Sequence, residues 1–440
     1  MNVQNPPVSK DAVVSAAAAR AGNYRWVICG LLFAASAINY VDRQMLGLLK
    51  PDLRDMFHLD AAHFEIAFAD IVFWFQAAYA IGYLGFGRLI DKLGARLGFS
   101  VAIVVWTIAH VAHAAVRTVF GFTLVRIGLG LGESGNFPAG VKAVAEWFPK
   151  SERALATSIF NAGTGIGAII TPLIVPVIVH YFGWQAAFVI TGSFSLVWLW
   201  VWIQNYRSPR EHAKLGKAEL DFIESDPPDT EQQKNIPWTR LFRVKETWAF
   251  ALGKFLIDPI WWFYLFWLPG FFAEHYHLNL LTFGPPLVAV YIMSDLGSVA
   301  GGWMSSQLIK MGSTINRARK LTMLVSSFAI LPVMFAMYAD NLWLAVLIIG
   351  IATAAHQSFS ANLYTLPSDV FPRSAVGSVI GIGGTLGGIG GMFMSKFTGF
   401  VLSTFSGDYT PIFMVAGGAY FLALLVVHLL SPRYELAKVD

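Results

Sequence analysis

Apolar residues run in long blocks along almost the whole chain, separated by short polar connections. Blocks of about twenty residues match the thickness of a bilayer's hydrocarbon core when helical, so the pattern predicts a polytopic helical membrane protein. Twelve spans are expected, at approximately 25–49, 64–88, 97–116, 119–147, 153–181, 184–205, 247–273, 282–309, 318–338, 341–366, 373–403 and 410–431. One connection is long: Tyr206–Glu246 is polar, contains Asp226-Pro-Pro-Asp229, and divides the spans six and six. The expected organisation is a tail over 1–24, a six-helix bundle over 25–205, a linker over 206–246, a second bundle over 247–431 and a tail over 432–440.

Composition agrees with the blocks. The 440 residues are 56% hydrophobic and 13% charged, where a soluble domain carries nearer a quarter charged residues. The net charge of +4 matters less than its distribution. Lys and Arg gather in the N-terminal tail, after the even-numbered spans and in the linker, whereas the other side holds Lys50, Arg54 and Arg117. By the positive-inside rule both termini are cytoplasmic. Met1 to Gly22 has no short apolar core with a cleavage site, so the first span is expected to do the targeting. The single cysteine, Cys29, excludes an intramolecular disulfide and any cysteine-cluster metal site.

Charge inside the blocks is the informative exception. Asp42 and Arg43 lie deep in the first apolar block, where a charged side chain costs about 3 kcal/mol on insertion scales. Adjacent residues are roughly 100° apart around a helix, so each must look to another helix. Arg126 and Glu133, seven apart and on one face of the fourth span, are the best candidates. Gly128, Gly130 and Gly132 between them allow close helix approach. A static salt-bridge network is the alternative to a set that binds an anion and a proton in turn. Ionisable groups at mid-membrane mark transport pathways by default.

The two halves repeat. Glu146-Trp-Phe-Pro-Lys-Ser151 recurs as Asp369-Val-Phe-Pro-Arg-Ser374, Gly165-Ile-Gly167 as Gly388-Ile-Gly390, and Ser208-Pro-Arg210 as Ser431-Pro-Arg433. Two parallel six-helix repeats imply a substrate site between them near the midplane. Gly87-Arg-Leu-Ile-Asp91-Lys92-Leu-Gly94-Ala-Arg96 resembles the loop motif that follows the second helix of the major facilitator superfamily. Ala95 departs from it, and Gly302-Trp-Met-Ser-Ser306, its counterpart in the second half, lacks the acid. Arg126-Ile-Gly-Leu-Gly130-Leu-Gly132 is similar to the fourth-helix motif of proton-linked members. Asn39-Tyr-Val-Asp-Arg43, Gly132-Glu-Ser-Gly135 and Lys254-Phe-Leu-Ile-Asp-Pro-Ile-Trp-Trp262 resemble the anion:cation symporter family, and within it the hexuronate and sugar-acid transporters.

That resemblance implies an all-α fold of two pseudo-symmetric bundles and proton-coupled import of a sugar-acid anion. It also implies that acids on the first and fourth helices, Asp42 and Glu133, carry protons, and that Arg88, Asp91 and Arg96 form a gate latch. An Arg fork suits the substrate carboxylate. Arg43 is the first choice; Arg126 is the second, or else the partner that keeps Asp42 ionised. Tyr40, Gln76, Tyr79 and Asn161 suit sugar hydroxyls, with interhelical hydrogen bonds as the alternative. A tyrosine at the position of Tyr79 is used in the family.

In the second half, Lys254 and Asp258 read most simply as a local ion pair. Trp261 or Trp262 can stack on a sugar ring or anchor at the interface. Ser358 and Asn362 share a face of the tenth span and are expected to be hydroxyl ligands. His356 is either protonatable or a hydrogen-bonded neutral ring. His110 and His113, near the end of the third span, are expected to snorkel toward the interface.

No enzyme motif, phosphate loop or metal spacing is present in the sequence. No cofactor, metal or nucleic-acid partner is expected, and a monomer in the lipid bilayer of the cell inner membrane is. The rival readings are an organic anion or organophosphate exchanger and a membrane sensor that has lost transport. Phosphate exchangers favour arginines from both halves, and the second half has none within a span. The sensor should lack the coupling acids.

Overall fold

The computed structural model describes residues 22–225 and 238–437. The tail before Gly22, the Asp226–Asp229 stretch and the last three residues lie outside them, as does the side chain of Asp91.

Ten helices among the described residues are long and apolar enough to cross a membrane. One of them, Leu155–Asn205, is 51 residues long and turns at Gly183, where φ is 80°; it is two spans, the fifth and sixth. The second and third spans meet in the same way at Gly94, where φ is 79°. Both positions adopt a left-handed backbone that favours glycine. The fourth span runs as Val119–Glu133 and Asn136–Trp147, interrupted at Ser134-Gly135 directly after the buried Glu133. Its two pieces fall short of a span separately and cross together, which gives twelve. The sequence predicts one unbroken fourth helix over this stretch, because nothing in the local apolar pattern marks the break.

Short polar signals set the ends. Asp60 accepts from the His63 backbone N–H at 3.1 Å, Thr118 from Gly121 at 3.1 Å and Asn341 from Trp343 at 2.8 Å, satisfying helix N–H groups that lack a partner in their own turn. Pro332 ends the regular part of the ninth span, which continues as a 3-10 turn, Leu331–Tyr338. Lys217–Ile223 is a short helix in the linker, tied to the first bundle where Arg25 pairs with Glu219 at 3.2 Å and with Glu152 at 2.7 Å.

Each set of six spans packs on itself, the first against the fifth and sixth, the eighth against the tenth. The bundles meet where the second span packs on the eleventh, the fifth on the eighth and the first on the seventh. Lys245–His275, the seventh span, carries Pro259 and Pro269 and also contacts the tenth, eleventh and twelfth spans. Trp74, Ile81, Phe120, Val299 and Phe335 are among the large apolar side chains left exposed, as a lipid-facing surface requires.

With twelve spans the termini share a side. On the opposite side the bundles are tied together by polar contacts. Lys50, 1% exposed, lies 2.6 Å from Glu65 of its own half and 3.4 Å from Glu274 of the other. It also donates to the Tyr409 hydroxyl at 3.4 Å. Phe68 meets Trp267 edge to face at 5.4 Å, Asp70 pairs with Lys396, and Gln44 donates to the Tyr291 hydroxyl at 2.5 Å.

Candidate functional site

Between the bundles lies a cavity of about 280 Å³, with walls from the first, second, fourth, fifth, seventh, tenth and eleventh spans. Tyr83, Phe137, Tyr364 and Ile380 carry its lining toward the side of the termini, away from the Lys50 contacts.

Arg43 is the cation on the first-bundle wall. Its Nε donates to Glu133 Oε2 at 2.8 Å and its Nη2 to Asn39 Oδ1 at 3.1 Å, Asn39 lying one helical turn earlier on the same face. Four rings surround the guanidinium: Tyr79 at 4.8 Å, Tyr40 at 5.0 Å, Trp262 at 5.4 Å and Phe75 at 5.8 Å. Cation–π contacts of this kind hold a desolvated guanidinium without consuming its hydrogen-bond donors. Tyr40, Tyr79, Asn161 and Trp261 line the same cavity. Glu133 reaches Arg43 because the glycines of its helix admit neighbours closely: Gly130 abuts the second-span backbone at Phe75, and Gly132 abuts Trp106.

Asp42 faces the other way. Its carboxylate lies 3.2 Å from His110 Nε2 and accepts weakly from Ser195 Oγ at 3.4 Å, while the same His110 nitrogen is 2.8 Å from Thr191 Oγ1. His110 and His113 are fully buried, and His113 stacks on Phe188 at 4.8 Å. This corrects the expectation that the two histidines snorkel: they turn inward toward the third–sixth span contact.

Several other expected ligands are also placed off the cavity. Arg126 sits behind Arg43, fully buried, with Nη1 donating to the Arg43 carbonyl at 3.4 Å and with Nε and Nη2 unpartnered. Gln76 is buried beside Gly391, and both its amide atoms are unpartnered. Ser358 accepts from Ser326 at 2.9 Å, and Asn362 donates to the carbonyls of Ser358 at 2.9 Å and Gly301 at 3.3 Å. The tenth span turns that face to the glycines of the eighth, Gly297 and Gly301, so neither residue reaches the cavity.

The stripe one position round, His356, Gln357, Ser360 and Tyr364, lines the cavity instead. His356 stacks on Trp261 at 5.4 Å and its Nδ1 lies 2.6 Å from the Tyr420 hydroxyl. Of the expected latch residues, Arg88 is exposed, and Arg96 donates to the Ile203 carbonyl at 2.7 Å.

On the seventh span the local ion pair that the four-residue spacing predicts is present. Lys254 and Asp258 pair at 2.7 Å, and both line the cavity with Tyr364. Trp261 and Trp262 follow on the same helix face and line the cavity too. Among the described residues no group of three His, Cys, Asp or Glu side chains could hold a metal ion.

Comparison with known proteins agrees with this architecture. The D-xylose-proton symporter superposes with a TM-score of 0.72 at 16% identity, covering 92% of this chain and 97% of that one. A bacterial homologue of human lysosomal Spinster, in an inward-facing and unoccupied conformation, gives 0.70 at 16% identity over 93% and 96%. The Hexuronate transporter of Escherichia coli (strain K12) is 28% identical over 94% of this chain and 96% of its own. The Galacturonate transporter of Dickeya chrysanthemi is 30% identical over 64% and 81%. These relatives are transporters, in line with a chain that is not an enzyme. The family model of the Major Facilitator Superfamily matches residues 32–395, and the chain belongs to that superfamily as a multi-pass membrane protein of twelve spans in two bundles.

Proposed function

We propose that this chain is a proton-coupled symporter that imports a hexuronate or related sugar acid by alternating access. The observation that carries the reading is Arg43, held in a ring of four aromatic side chains on a cavity wall and shared with the acid Glu133. A guanidinium in that setting takes a carboxylate by two parallel charge-assisted hydrogen bonds. Tyr40, Tyr79, Asn161 and Trp261 supply hydroxyl, amide and ring surface beside it. Relatives named for hexuronate, galacturonate and L-galactonate transport support the substrate class.

Coupling follows from competition. An ionised Glu133 occupies Arg43; a proton on Glu133 frees the guanidinium for substrate and removes the negative charge that neutralises it. Asp42, with His110 and Ser195 around it, is the second proton site and lies away from the substrate. The protein works as a monomer in the cell inner membrane with both termini in the cytoplasm. On that orientation the Lys50 contacts close the outer side.

Uptake of labelled galacturonate, glucuronate, galactonate and galactarate into proteoliposomes, with and without an inward proton gradient, tests the reading. Gradient-driven accumulation of at least one is expected. Transport of none, or transport indifferent to the proton gradient, refutes it.

A further inference from the structure

We propose that Lys254 and Asp258, with Tyr364, form the second pole of the binding site and take vicinal hydroxyls at the end of the substrate remote from its carboxylate. The inference rests on the sugar-acid reading above and assigns the residues that read the sugar itself.

A local helix pair on a surface is weak, and burying two charges carries a desolvation cost that apolar replacements avoid. Lys254 is buried all the same, and its Nζ lies 2.7 Å from Asp258 Oδ2 and donates to the Tyr364 hydroxyl at 2.7 Å. The Asp258 side chain keeps 18% of its surface open, and all three residues line the cavity. An ammonium has three donors, so one remains. The Tyr364 hydroxyl accepts from Lys254, which leaves its own hydrogen free. The pair therefore presents a carboxylate acceptor beside two donors, and two neighbouring hydroxyls, each donating once and accepting once, complement that set.

A second carboxylate does not fit as well. Lys254 is already neutralised, and an incoming anion would have to displace Asp258 and leave it buried without a counter-charge. The wall is continuous: Trp262 lies over Arg43 at 5.4 Å and is four residues beyond Asp258, on the same helix face. The substrate thus lies with its carboxylate on Arg43, its ring against the tryptophans and its hydroxyls on the seventh span. Carboxylates without a vicinal diol are excluded as good substrates.

The test is calorimetric binding to the purified full chain in nanodiscs, comparing galacturonate with its 2,3-dideoxy analogue, which keeps the carboxylate. The wild type is expected to bind galacturonate about tenfold or more tighter than the analogue. Asp258→Asn, and the double replacement Lys254→Met with Asp258→Leu, are expected to bring the two affinities within about threefold while leaving the analogue's affinity unchanged. That unchanged affinity also shows that the variants fold.

A gap that survives in Asp258→Asn, or an equal loss for both ligands, overturns the proposal. So does wild-type preference for galactarate that Lys254→Met removes, which makes Lys254 a carboxylate site. A wild type that binds no sugar acid refutes the sugar-acid reading itself, and a wild type that binds galacturonate and the analogue alike refutes only the second pole.

Discussion

Asp42 and Arg43 are neighbours in the chain and belong to different networks. Arg43 lines the cavity and pairs with the buried Glu133, whereas Asp42 is sealed among His110, Ser195 and the third and sixth spans. One residue's rotation along the first helix separates a cavity-facing charge from a hidden one.

Arg43→Lys is expected to weaken sugar-acid binding by about 10- to 100-fold, although the charge is kept. An ammonium is a point charge and cannot form the two-pronged contact. Thermal-shift titration checks this. Arg126→Lys, behind the wall, should bind far closer to the wild type; the reverse order would exchange the roles of the two arginines.

Glu133→Gln mimics a permanently protonated acid. It is expected to bind and exchange substrate across the bilayer but to fail to accumulate it against a gradient. Asp42→Asn should also lose accumulation, by removing the second proton site. Counterflow and proton-driven uptake in the same proteoliposomes separate the two processes. Normal accumulation by both variants would move the coupling site elsewhere, with Asp258 and His356 the next candidates.

Glu274→Gln removes one cross-bundle partner of Lys50 and leaves the Lys50–Glu65 pair in place. Glu274 is 41% exposed, so the loss is about 0–1 kcal/mol. The population open on that side is expected to rise by up to about fivefold, read by distances between spin labels on the two bundles. Lys50→Met is different in kind, because it strands buried Glu65 and should cost about 3–5 kcal/mol of stability.

Gly132→Ala is expected to destabilise the fold by about 1–3 kcal/mol, since the added methyl drives into the third-span backbone at Trp106. Gly302, with open space around it, is the control, and Gly302→Ala should melt at or above the wild-type temperature in detergent.

Much of this was legible in the chain because membranes make charge conspicuous. An apolar block announces a span, and a charged residue inside one has few partners: for Arg43 the candidates reduce to a short set that includes Glu133. The tenth span was harder to read. Ser358–Asn362 and Ser360–Tyr364 have the same four-residue spacing, and only the eighth span's Gly297 and Gly301, close-packed against the first of these stripes, show which faces inward. The positions of His110 and His113 were hidden because a histidine near the end of an apolar block reads alike whether it meets lipid headgroups or, as His110 does, a buried aspartate. The local pairing of Lys254 and Asp258 explains their spacing by itself, so the sequence carries no sign that the pair also lines the cavity.

The two prolines of the seventh span have a mechanical consequence. Each lacks a backbone donor, so the helix has two places where bending breaks no hydrogen bond, one directly after Asp258 and one more than a turn before Glu274. The three segments they delimit carry Lys254 and Asp258 at the cavity, Trp261 and Trp262 beside Arg43, and Glu274 at the opposite closure. The seventh helix thus joins two parts of the molecule: its first two segments line the cavity, and its third meets the other bundle through Lys50.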